Sequence, residues 1–229
     1  MDRFMNWLIP RLPGKLKKIL VYGGKYDGNA DRLPNQDLPE GAIPFDEMPM
    51  DKFMLMTSIA SLGVLAATFA IFYMRSGHEL FSIWGIILAV ILQVPHEFLH
   101  AVCYNETVWM YSYLHKGSLF VLSAEHLSRR RFIFMCLLPN IVLGFIPFLL
   151  FLIFPSLKII GTVGALCIAT GIGDYINVYN AMTQMPKDAK TFLYKEHSYW
   201  IREEDKAPEY ITPTLPMPDN WLRYTRKKE

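Results

Sequence analysis

The stretch that decides the fold runs from Leu80 to Cys103, LFSIWGIILAVILQVPHEFLHAVC. Its length meets the requirement of about 20 apolar residues for crossing a hydrocarbon core of about 30 Å. Up to Val94 it carries no charge, and then come His96, Glu97 and His100. Ionisable side chains inside a membrane span are costly and are retained for function. The three form an H-E-x-x-H pattern. At 3.6 residues per turn, His96 and His100 lie about 40° apart around a helix, so both imidazoles leave from one face toward one ion. Glu97 is rotated by about 100° from His96, placed to address a water on that ion rather than to ligate it. The non-metal alternative is a His/Glu cluster that only ties helices together. Pro95 cannot donate to the carbonyl of Ile91, which predicts a kink at this point.

Three further blocks have span length: Phe53–Met74 and Phe132–Phe154, both uncharged, and about Ile159 to Met182. The whole chain of 229 residues is 52% hydrophobic and 19% charged, with a mean hydropathy of +0.19. Four such blocks leave too little sequence to bury them in a soluble core. The expected fold is therefore an all-α membrane protein of four transmembrane helices. A net charge of +2 argues against a nucleic-acid partner. Cys103, Cys136 and Cys167 all sit in apolar blocks, an odd and widely spaced set that excludes a disulfide framework and a Cys zinc site.

Asp174 is the only other ionisable side chain within a span. Spans two and four run in the same direction from about residues 80 and 158, so His96 and Asp174 each lie 16 residues along, roughly 24 Å deep. A catalytic zinc usually has three protein ligands and an open position, and Asp174 can be the third. Its alternative is a hydrogen-bonding role toward Asn140 or a tyrosine. Gly171 and Gly173 allow close backbone approach or a break in the helix. Asn140 follows Pro139 in span three, where its amide either binds substrate or a tetrahedral intermediate, or ties helices together.

Lys and Arg set the orientation. Eight lie in the N-terminal 52 residues, four in the 104–131 connection and nine after residue 182, against only Arg75 and Lys158 in the short connections. Both termini and the long connection are expected to be cytosolic. Within that connection, TVWMYSYLHKGSLFVLSA reads as a membrane-proximal β-hairpin turning at His115-Lys116-Gly117. Its edge can accept an extended peptide or merely cap the bundle. Residues 1–52 read as an N-terminal tail, in which Phe4, Trp7, Leu8, Leu12, Leu16 and Ile19 can form an interfacial amphipathic segment. Residues 53–182 form the transmembrane unit and 183–229 a C-terminal tail. His115, His126 and His197 are not assigned to the site.

PHEFLHA, then LSRRRFIFMCLLPN, then GIGDYINVYNAM followed by MPKDA, resemble in that order the bacterial zincin peptidase family formerly catalogued as a domain of unknown function. The likeness covers about residues 80–200. The arrangement is also similar to the site-2 proteases, intramembrane zinc peptidases whose H-E-x-x-H helix is joined by an aspartate from a later membrane helix. The resemblance implies that His96, His100 and Asp174 bind Zn²⁺ and that Glu97 is catalytic. Pro139-Asn140 loosely resembles a site-2 protease motif and makes Asn140 a catalytic candidate. Asp174 here precedes Tyr175, whereas site-2 proteases have Asp-Gly. The expectation is a zinc metallopeptidase of a bacterial cell membrane acting on a membrane-associated protein or peptide. The alternatives are a zinc-dependent hydrolase of a lipid or small amide, and a non-catalytic membrane scaffold.

Overall fold

The computed structural model describes residues 1–34, 37–113 and 118–202. The expected turn at His115-Lys116-Gly117 and the chain beyond Arg202 lie outside the described residues. The first elements are helix α1 (Asp2–Leu8), helix α2 (Gly14–Ile19) and strand β1 (Leu20–Lys25). Met5 is 0% exposed, and it packs with Ile9, Ile19 and Leu20 against Ala101, Met135 and Cys136. The stretch expected as a tail therefore seals the underside of the H-E-x-x-H helix. Phe4 and Trp7 remain exposed on the opposite face of α1.

Strand β2 (Ile43–Pro44) precedes α3 (Met50–Arg75), an uninterrupted helix in which Phe72 and Thr68 are the buried side chains among those described. The second apolar block breaks into α4 (Ile83–Ile91) and α5 (Gln93–Ala101). The break is at Leu92, one turn before Pro95, where the missing proline N–H leaves the Ile91 carbonyl without its helical donor. The third block comprises α6 (Arg129–Pro139), a π-helical segment Asn140–Phe145, and α7 (Ile146–Ile153). The fourth is α8 (Lys158–Thr170) and α9 (Ile172–Gln184), bent by 48° at Gly171. Among the described residues three helices are long and apolar enough to cross a membrane, or four if the bent pair counts as one span. Large apolar side chains such as Leu55, Leu62, Trp84, Val90 and Leu149 are exposed along them.

Helix α8 is the central one and packs against α3, α4 and α7. Glycines make this possible: a Cβ on Gly164 would overlap the Phe148 backbone, and one on Gly161 would overlap the Phe151 ring. The two short connections meet at one end of the bundle. There Arg75 Nε donates to the Leu152 carbonyl at 2.8 Å and Lys158 pairs with Glu79 at 2.6 Å.

The other end carries two sheets, so the all-α expectation is corrected to a mostly helical fold with a substantial β cap. Strands β3 (Val108–Tyr113) and β4 (Ser118–Leu122) form the expected antiparallel hairpin ladder. β1 joins β3 in parallel, giving the order β1-β3-β4. The second sheet has the order β2-β7-β6-β5, built from β5 (Leu127–Ser128), β6 (Ala189–Tyr194) and β7 (His197–Arg202). β6 and β7 form a tight hairpin in which Lys195 takes φ 56. The tail expected after residue 183 thus begins with a folded hairpin. Its sheet pairing joins residues 43–44, 127–128 and 189–202, which local periodicity cannot reveal.

Candidate metal centre

α5 places His96, Glu97 and His100 at the capped end of the bundle, where one ligand atom from each lies within 4.8 Å of the others. The two imidazole rings are 4.9 Å apart and meet edge to face. From α9, the first-turn residue Asp174 reaches both: Oδ2 lies 3.3 Å from His96 Nε2, and Oδ1 lies 3.5 Å from His100 Nε2. The three side chains are 9–16% exposed. The bend at Gly171 is what turns the start of α9, and with it Asp174, toward α5.

The orientation of His100 has a traceable cause in the neighbouring helix. In a regular helix the residue 139 N–H would bond the Met135 carbonyl, and Pro139 has no N–H. That carbonyl instead accepts from His100 Nδ1 at 2.9 Å. The bond fixes the ring tautomer and leaves Nε2 with a free lone pair facing Asp174.

Asn140, expected as a candidate for direct work on substrate, is 0% exposed. Its Nδ2 donates to Asp174 Oδ2 at 2.7 Å and to the Cys136 carbonyl at 3.0 Å. The helix has left its regular pattern here, because the Asn140 backbone N–H bonds Leu137 and so frees the Cys136 carbonyl. π-helical insertions of this kind concentrate at functional sites. Asn140 therefore touches the carboxylate, not the cavity.

Glu97, His100 and Asp174 line a cavity of about 250 Å³ that is roofed by Val121 of β4 and Leu193 of β6. The backbone of Val121 hydrogen-bonds to the Glu97 carboxylate. A second cavity of about 390 Å³ shares Phe120, Asn177, Leu193 and Ser198 with the first and runs out to Asp46 and Glu47. The remaining described histidines stand apart. His197 pairs with Glu47 at 3.3 Å, and His126 stacks on Phe192. Burial, with Lys190 adding to it, pushes the His126 pKa below its usual value.

The donors suit zinc. Two ligand atoms held about 2.0–2.1 Å from a tetrahedral ion lie about 3.3 Å apart, and the two Nε2–Oδ separations are already 3.3 and 3.5 Å. Two imidazoles and one carboxylate match in kind the three-ligand set of a catalytic zinc site, and the carbonyl behind His100 and the amide behind Asp174 would be its outer partners. Sequence reasoning missed the Met135 carbonyl and the buried hydroxyl of Tyr175. The only signals were Pro139 four residues after Met135 and the position of Tyr175 next to Asp174.

Residues 89–190 match the model of a protein family described as "Putative zincin peptidase". The matched stretch runs from α4 into β6 and contains His96, Glu97, His100, Asn140 and Asp174. A zincin peptidase implies a zinc cofactor and a peptide or protein substrate. No curated protein and no solved structure matches the chain.

Proposed function

From the zincin peptidase match of residues 89–190, we propose that the protein is a membrane-embedded zinc peptidase that hydrolyses a peptide bond of a membrane-associated substrate. The observation that carries this reading is the convergence of His96 Nε2 and His100 Nε2 on the Asp174 carboxylate, with Glu97 in the same group. His96, His100 and Asp174 are the residues that hold zinc. Bound there, zinc supplies a Lewis acid that polarises a peptide carbonyl and makes water acidic near neutral pH.

Glu97 acts as general base. Its carboxylate takes the proton of the attacking water and returns it to the leaving nitrogen as the C–N bond breaks. Asn140 holds Asp174 through the 2.7 Å bond and is a positioning residue. Among the described residues β4 has β3 as its one neighbour in the sheet, and in this reading its other edge pairs with an extended substrate backbone beside Glu97. The exposed apolar side chains of α3, α4 and α7 face lipid in this reading. The Lys and Arg distribution puts the two sheets and both termini on the cytosolic side.

The test is Glu97→Gln. The amide keeps the shape but cannot accept a proton, so zinc content should be retained. Turnover should fall by at least the roughly 10²–10⁴-fold that general-base catalysis contributes. Cleavage of a membrane-protein fragment that accumulates uncut with the variant is measured beside zinc in the same preparation. Full turnover by Glu97→Gln would overturn the mechanism even with zinc bound.

A further inference from the structure

Two side-chain atoms are buried without a hydrogen-bond partner among the described residues, Asn140 Oδ1 and Tyr175 Oη. They are neighbours. A Cβ added to Gly171 would overlap Asn140 Oδ1 and come within 3.1 Å of Tyr175 Oη, so both atoms face the same bare patch of backbone. One of them can only accept and the other carries an O–H to donate. The chemistry of the amide confirms which atom is which. Nδ2 already faces two acceptors, Asp174 Oδ2 and the Cys136 carbonyl, and a flipped amide would turn its oxygen onto both of them.

We propose that Tyr175 is a positioning residue for the metal centre: its hydroxyl donates to one buried water that donates in turn to Asn140 Oδ1, and thereby holds the amide that holds Asp174. This rests on the reading of His96, His100 and Asp174 as the zinc ligands. A buried polar pair of complementary type is satisfied by each other or by an ordered water. The relay runs from α9 to the π-helical segment of the third block and back to α9, with Gly171 as the position whose missing side chain leaves room for it. It also gives the residue after the aspartate a specific task, since the hydroxyl reaches the same amide that the carboxylate accepts from. Phe145 flanks the Tyr175 ring with centroids 6.2 Å apart, which keeps the ring on this path.

The experiment compares full-length wild type, Tyr175→Phe and Gly171→Ala, using zinc itself as the probe. Zinc affinity is read by competition with a chromophoric chelator, and thermal unfolding is followed on the metal-depleted proteins. Tyr175→Phe removes one oxygen and should weaken zinc binding by about 10–100-fold, the range for loss of an outer partner. The metal-depleted form should also unfold at a lower temperature, because Asn140 Oδ1 is then buried without its partner. Gly171→Ala, which pushes Asn140 aside, should weaken zinc at least as much. Wild-type affinity in Tyr175→Phe overturns the relay while leaving the zinc site intact. A lower unfolding temperature of the metal-free Tyr175→Phe protein with wild-type zinc affinity assigns the hydroxyl to general packing and overturns it too. Wild-type protein without zinc affinity overturns both this proposal and the peptidase reading on which it rests.

Discussion

At the residue scale the centre converges on one carboxylate, that of Asp174. His96 and His100 each present one Nε2 to the Asp174 carboxylate. Replacing His96, His100 or Asp174 with Ala should each lower zinc affinity by more than the roughly 10–100-fold typical of an outer partner, because three ligands leave no redundancy. Zinc content of the purified variants checks this. Stoichiometric zinc in Asp174→Ala would return Asp174 to the helix-tying role that its bond to Asn140 also permits. The paired histidines and Glu97 were legible in the sequence because a helix repeats its geometry every few residues. For Asn140 the sequence left work on substrate and a bond to Asp174 both open, because a buried amide and a cavity-facing amide look identical in sequence, and the structure shows the bond.

At the element scale, the departures from regular helix are where the site is built. Pro139 ends α6 and removes the donor that would occupy the Met135 carbonyl, the Asn140 N–H bonds Leu137 rather than Cys136, and the fourth block bends at Gly171. Pro139→Ala restores an N–H that competes with His100 Nδ1 for the Met135 carbonyl. An interior proline costs a helix about 3 kcal/mol, so the variant should unfold at a higher temperature while binding zinc roughly 10-fold more weakly. Thermal unfolding and chelator competition on the same sample measure both, and unchanged zinc affinity would detach the proline from the site. The kink expected at Pro95 is present, as a break at Leu92. Of the two glycines noted before Asp174, Gly171 makes the close approach, whereas a Cβ on Gly173 would meet nothing within 4 Å.

At the scale of the whole molecule, the two ends of the bundle differ in kind. One end has only short connections tied by Arg75 and Lys158. The other carries both sheets, the buried face of α1 and the candidate centre. Arg129 fastens the start of α6 to the end of α9 there through the Met182 carbonyl at 2.8 Å. If the basic residues mark the cytosolic side, a single cysteine at Ser156 should react with a membrane-impermeant thiol reagent in intact cells, whereas one at Ser118 should not. Both positions are exposed. The reverse pattern would invert the protein and put the centre at the opposite membrane face.

The sequence by itself determined the four apolar blocks, the strands of the 108–122 hairpin and the helical pair of histidines with its glutamate. Each of these is written in residues close together, through hydropathy, β-propensity or helical pitch. Only the tertiary structure decided that Asp174 faces both imidazoles, that the Met135 carbonyl left without its helical donor by Pro139 orients His100, and that residues 20–25 and 189–202 complete sheets around the centre. Those outcomes join segments tens of residues apart in sequence. Pairing of that kind depends on which surfaces meet once helices pack, which no local pattern encodes.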